Sequence, residues 1–111
     1  MNRIDHDTEA AIRRFLAEIA SRYEVEGAIL YGSRARGTHH DESDADVAVL
    51  VRGEQDFWTV AMDMGDIAIK VMLDTDVLIS PLPIWLDEWE NPEGYSNPAL
   101  LENINKEGIR L

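Results

Sequence analysis

Hydrophobic residues recur at helical spacing over residues 7–23. Ile12, Phe15, Leu16, Ile19, Ala20 and Tyr23 share one face, and Arg13, Arg14, Glu18 and Arg22 take the other. Asp7 or Thr8 can cap the start of this helix, and Glu9 suits the positive end of its dipole. Gly27 breaks the pattern, and the apolar run over 28–31 predicts a strand. Residues 33–43 are polar, with Gly37 as a turn signal and a short helical turn over 33–36. A second strand follows over 44–51. Val47, Val49 and Val51 share one of its faces, and Asp44, Asp46, Ala48 and Leu50 share the other. Its far end is apolar on both sides, so both are expected to be buried.

The longest periodic segment, 55–73, carries Phe57, Val60, Ala61, Met64, Ala68, Val71 and Met72 on one stripe. Asp66 there is placed to pair with Lys70 one turn on. Residues 76–80 predict a third strand, stopped by Pro81 and Pro83. Residues 82–90 predict a short amphipathic segment presenting Trp85 and Trp89 together against the sheet. Asn97-Pro98 opens a last helix over 98–107, which Gly108 ends. The order is helix, strand, strand, helix, strand, helix, with no internal repeat and no linker. It predicts an α/β fold, a single small domain over residues 1–111 with a mixed β-sheet flanked by helices.

Composition narrows the function classes. With 111 residues, 45% of them hydrophobic, the chain suits one core and leaves little for a second substrate-binding domain. Twenty-two acidic residues against ten basic ones give a formal charge of -12. No direct nucleic-acid contact is expected, because phosphate binding needs clustered Lys and Arg. The acidity keeps a small domain soluble and would also suit a basic protein partner. The absence of cysteine excludes disulfides and thiolate metal sites. No apolar run reaches the roughly 18 residues of a membrane span, and the first residues lack a signal peptide's apolar stretch. A cytoplasmic protein without membrane contact is expected.

The chemistry concentrates in residues 32–51. Gly32-Ser33 follows the first strand directly, and a residue without a side chain lets a phosphate reach the backbone N–H groups. The Ser33 hydroxyl adds a donor. Arg34 and Arg36 sit where triphosphate charge would gather, although Arg34 can also pair with Asp41 or Glu42. Asp44 and Asp46 are two apart on a strand, so their carboxylates project from one face and repel. A divalent cation removes that conflict, and carboxylate oxygen is what magnesium prefers. The pattern is not a Walker loop, which ends in Gly-Lys-Ser/Thr, nor an EF-hand, which needs a central glycine. His39 and His40 in the same loop are expected to be merely exposed. Gly-Ser, ten residues, then Asp-x-Asp arises by chance in on the order of one chain in a thousand of this length.

Gly32-Ser33 with Asp44-x-Asp46 resembles the signature of the DNA polymerase beta-like nucleotidyltransferase superfamily. The fuller run Gly-Ser-Arg-Ala-Arg-Gly with Ser43-Asp44-x-Asp46 is similar to the minimal nucleotidyltransferases, MNT proteins. The resemblance implies that Gly32 and Ser33 contact nucleotide phosphates and that Asp44 and Asp46 bind Mg2+. It also implies a third carboxylate on a later strand, to complete the metal site and help deprotonate the attacking hydroxyl. Asp76, which opens the strand predicted over 76–80, is the candidate; Asp74, two residues earlier, keeps the same face.

MNT proteins are often antitoxins beside a HEPN-domain ribonuclease toxin. The resemblance therefore implies transfer of AMP from ATP to a toxin tyrosine, in a hetero-oligomer with the toxin. Two other readings compete. One is a non-catalytic antitoxin that neutralises its partner by binding. The other is a stand-alone nucleotidyltransferase acting on a small molecule.

Overall fold

The computed structural model describes residues 4–37 and 44–111. Helix α1 (His6–Ala20) is followed by strand β1 (Val25–Tyr31), the single-turn helix α2 (Ser33–Arg36), strand β2 (Ala45–Val51) and helix α3 (Phe57–Thr75). Strand β3 (Ile79–Trp85) runs into helix α4 (Leu86–Glu90), a 3-10 turn (Pro92–Gly94), helix α5 (Pro98–Glu107) and the two-residue strand β4 (Ile109–Arg110). The sheet order is β3-β2-β1-β4. β1 is antiparallel to β2 and β4, while β2 and β3 are parallel. The expected mixed α/β sheet is present. α3 is the crossover that a parallel pair requires.

Each face of the sheet carries its own core. Ala28, Leu30, Val47, Val49, Val51 and Ile79 pack with Phe15 and Ile19 of α1 and Met64 and Val71 of α3. Ile29, Ala48, Leu50 and Ile84 point the other way, against Leu101 and Ile104 of α5. The double burial expected at the far end of β2 is met, since Ala45 and residues 47–51 are all buried.

Several expected boundaries move. α1 starts one residue early and is capped by Asp5, whose carboxylate accepts from the Thr8 backbone N–H (3.1 Å) and the Thr8 hydroxyl. Thr8 is buried beneath that cap, and Asp7 is an exposed first-turn residue. Tyr23 lies beyond the helix and donates its hydroxyl hydrogen to Asp63 (2.7 Å).

The third strand begins at Ile79 and runs through both prolines. Ala45 donates its N–H to the Leu78 carbonyl (2.8 Å), so alternation turns the N–H groups of Ser80, Leu82 and Ile84 toward β2. Pro81 and Pro83 then face the open edge, where a missing N–H costs no ladder bond. Trp85 and Trp89 are not presented together. Trp85 joins the core under α1 and α3, whereas Trp89 packs on the α5 side, beneath the Arg110 guanidinium at 5.8 Å.

The Pro98–Glu107 helix matches its sequence signals, with the Asn97 side chain accepting from Leu100 N–H (3.3 Å). Gly108 ends it for a steric reason. A Cβ there would collide with Ile29 and the Ile104 carbonyl, as the chain turns down to pair β4 with β1.

Candidate active site

β1 delivers the turn and β2 delivers the acids. Tyr31 stands opposite Asp46 in the antiparallel register, so Gly32 comes to rest beside the Asp46 carboxylate. Gly32 has φ +77° and ψ -157°, a conformation that L side chains rarely adopt, and a Cβ at this position would run into Asp46 Oδ2. The chain then makes one helical turn over Ser33–Arg36, closed by Gly37 at φ +74°. No side chain of the described residues caps its start. Among the described residues the leading N–H groups meet no side-chain acceptor, which suits them to an anion. Gly32 and the Asp46 carboxylate, fourteen positions apart in sequence, are adjacent in space.

Asp44 is exposed just ahead of β2, and Asp46 is half-buried on it. Asp46 is pushed above the ordinary carboxylate range, first by burial and then by the Asp44 charge, with Arg36 partly opposing both. Tyr31, opposite it, is raised to about 12 by burial, by Asp46 and by Tyr95. Tyr95 is itself raised by burial and by Glu88. The site is thus an electronegative ledge that disfavours further negative charge. All its donors are hard oxygen atoms. These features fit a magnesium-type ion held by Asp44 and Asp46, which would relieve their repulsion.

That charge conflict has a consequence for the metal-free protein. Because Asp46 is raised in the folded state, ionising it costs more folded than unfolded. Its contribution is fully present below the unfolded pKa, about 4, and is lost as pH rises through the folded value. Asp46→Asn should flatten the fall in stability between acid and neutral pH. At pH 7 the gain should be no more than about 1 kcal/mol, since the carboxylate is only half-buried and is screened. Urea unfolding of the metal-free variants across pH checks this; a stability loss at pH 7 would mark Asp46 as a structural residue.

Two expected ligands lie elsewhere. Asp76 does not open a strand: α3 continues to Thr75, and Asp76 caps it in the left-handed conformation at φ +61°. Among the described residues no group of three His, Asp or Glu side chains is placed to hold a metal. The third-carboxylate assignment to Asp76 is corrected accordingly. Asp74 is on the last turn of α3, bonded to Arg14 of α1 (2.6 Å). The β3 residue in register with Asp46, on the same face, is Ser80.

Arg34 is buried and bonded across to α1. It is 7% exposed, and Nη1 donates to the Thr8 hydroxyl (2.8 Å) and lies 3.7 Å from Asp5 Oδ1. These contacts bolt α2 to the N-terminal cap of α1. Arg36, two residues on, is exposed and is the arginine whose charge reaches Asp46; its Nη1 also lies 3.5 Å from Glu107. His39, His40, Asp41 and Glu42 lie outside the described residues. Arg34→Ala should lower stability by about 1–3 kcal/mol, the usual cost of orphaning a buried charge-assisted bond. ATP affinity should change little. Normal stability with weakened ATP binding would return Arg34 to the phosphates.

Tyr31, Ser80 and Tyr95 are the neighbours that the sequence pattern did not single out. Tyr31 had a signal, since it immediately precedes Gly32 on the strand that carries the turn.

Residues 15–82 match the family model described as polymerase beta, nucleotidyltransferase. Two Methanocaldococcus jannaschii proteins that bear the provisional name protein adenylyltransferase are also similar. One, MJ0141, is 34% identical over 89 residues, spanning 72% of this chain and 89% of that protein. The other, MJ0604, is 36% identical over 76 residues, spanning 67% and 70%. Among solved structures, a mutant form of the toxin–antitoxin pair MntA-HpeT contains a chain that matches 93% of this one over 70% of its own length. Its TM-score is 0.60 at 22% identity. A Sulfolobus solfataricus protein provisionally named a nucleotidyltransferase matches 99% of this chain over 89% of its own, with TM-score 0.54 at 21% identity. At these identities the two structures speak for the fold.

Proposed function

The chain belongs to the polymerase beta nucleotidyltransferase family, and from that membership we propose that it transfers AMP from ATP to a hydroxyl of a partner protein. The observation that carries this reading is the seat of Gly32 against Asp46, which makes the phosphate turn and the acid pair one site.

The backbone N–H groups following Gly32 and the Ser33 hydroxyl hold the phosphates of ATP, and Arg36 offsets the charge that gathers at Asp46. Asp44 and Asp46 would hold Mg2+, which when bound neutralises phosphate charge and polarises the α-phosphate. The acceptor oxygen attacks the α-phosphorus, the bond to the β-phosphate bridging oxygen breaks, and pyrophosphate leaves. An AMP ester, pyrophosphate and one proton are the products. What the residues supply is positioning and charge.

The acceptor proposed is a tyrosine of a HEPN-type ribonuclease toxin, with this chain as its antitoxin in the cytoplasm. The protein adenylyltransferase name of the relatives and the toxin–antitoxin pairing of the structural neighbour support it. A formal charge of -12 suits docking on a basic ribonuclease surface.

A second reading rests on the same ledge. With no third carboxylate beside Asp44 and Asp46 among the described residues, the chain would neutralise its partner by binding alone. Toxin inhibition separates the two. Enzymatic neutralisation requires ATP and magnesium and persists after this chain is removed. Neutralisation by binding needs neither nucleotide nor metal and reverses on removal.

A further inference from the structure

We infer that the outer face of α3 pairs with the same face of a second copy of this chain, antiparallel about a two-fold axis beside Gly65. Four of the five large exposed hydrophobic residues among those described lie on this helix: Trp58 at 71%, Met62 at 71%, Ile69 at 50% and Leu73 at 74%. They follow one another at helical spacing with Gly65 between, so they form one stripe, on the side opposite Val60, Met64, Ile67 and Val71 of the core.

The spacing of the stripe is palindromic. Trp58 and Leu73 are equidistant from the midpoint between Gly65 and Asp66, and so are Met62 and Ile69. A two-fold interface needs this symmetry, because each residue must meet a partner that it meets in return. Antiparallel pairing sets Trp58 on the partner copy's Leu73 and Met62 on its Ile69.

Gly65 is the independent sign. In the interior of a 19-residue helix a glycine costs about 1 kcal/mol relative to alanine. An added Cβ here would meet no described atom within 4 Å, so nothing among the described residues requires its absence. A second helix crossing at this point does require it, since the missing side chain lets the two backbones approach.

Charge and geometry permit the pairing. Between Phe57 and Leu73 the only charged residues are Asp63, Asp66 and Lys70. Asp63 is already bonded to Arg22 (2.8 Å) and Tyr23 (2.7 Å). The rest of the acidity lies off this helix segment. The stripe is also on the opposite side of the sheet from Asp46, whose strand neighbours Ala48 and Leu50 face α5. An acceptor docked at the acid pair therefore leaves the stripe open to a second copy. Four such side chains offer a few hundred Å² of apolar surface, less than the roughly 800 Å² per partner of a standard interface. The pairing is therefore a weak one, below the standard size of a specific interface.

The chain has no native cysteine, which makes cross-linking clean. Trp58→Cys and Leu73→Cys proteins, mixed and mildly oxidised, should form a mixed disulfide dimer, while either alone forms little. Sedimentation of the wild type over about 10–500 µM should show a concentration-dependent dimer. Ile69→Glu and Gly65→Leu should each weaken it at least tenfold and keep the circular dichroism of a folded domain. A wild type that stays monomeric throughout overturns the proposal, as does self-cross-linking of Trp58→Cys equal to the mixed reaction, which would mean parallel pairing. An Ile69→Glu effect on toxin binding without any change in self-association would assign the stripe to the toxin and equally overturn it.

Discussion

Asp44→Asn is expected to lower AMP transfer by roughly 10²–10³-fold, the usual loss when one charge-stabilising group is removed from a preorganised site. The position makes this a clean test. Asp44 is exposed, lies one residue before β2 and is outside the buried core, so little of the fold depends on it. Its charge raises Asp46, and removing it should leave the metal-free protein at least as stable as the wild type. Activity and stability should therefore move in opposite directions. Thermal unfolding with and without magnesium and ATP reads both halves: an unchanged or higher metal-free Tm, and loss of the upward shift that ligands give the wild type. A lower metal-free Tm would place Asp44 in the scaffold.

Gly32→Ala is expected to cost both stability and function. Two penalties fall on one residue. The backbone sits at φ +77°, ψ -157°, a region that costs an L residue about 1–3 kcal/mol, and the new methyl group would displace the Asp46 carboxylate. Either the turn moves off the acids or the acids move off the turn, and transfer should fall by on the order of 10²-fold, the scale of a misplacement of about 1 Å. Gly37→Ala is the natural control. Gly37 shares a positive φ of +74°, yet a Cβ there meets no described atom. It should carry the backbone penalty, about 1–2 kcal/mol, without the loss of transfer. Equal activity losses in the two variants would show that strain in the turn, and not contact with Asp46, governs the site.

Much of the site was legible because short-range rules governed it. Period-two alternation joined Asp46 of β2 with Asp44 just ahead of the strand, whose charge reaches it, and a Gly-Ser pair at the end of an apolar strand identified the turn. The last helix was legible for the same reason, since Asn97, Pro98 and Gly108 are all local signals. What failed were the places where tertiary contact decides. Pro81 and Pro83 read as stops, but on an edge strand both imino nitrogens face outward and the strand passes through them. With β3 displaced toward the C-terminus, α3 runs two residues further, Asp76 becomes the cap of a helix, and Ser80 takes the register position beside Asp46.

Arg34 and Arg36 illustrate the same limit at smaller scale. Two residues apart on a helical turn, they point about 200° apart, so only one can face the acids. Their identity is the same, and the choice between them is made by Thr8 and Asp5, which lie more than twenty residues upstream. β4 is two residues long and is held by pairing with Ile29 and Leu30, too short to leave a periodic trace. The exposed stripe on α3 was hidden for the opposite reason. A helix apolar on both sides gives a clear helical signal for its core face, and Trp58, Met62, Ile69 and Leu73 stand out only once that face is known to be covered.

The proposed function assigns nucleotidyl transfer to the site of Gly32, Ser33, Asp44 and Asp46. The most direct test follows the fate of each phosphate when wild-type protein, magnesium and a HEPN-type toxin are incubated with ATP labelled at either the α- or the γ-phosphate. The α-label should become covalently attached to the toxin, the γ-label should appear only in pyrophosphate, and both signals should vanish with Asp44→Asn. Attachment of the γ-label, or undiminished α-labelling by the Asp44→Asn protein, would contradict that assignment.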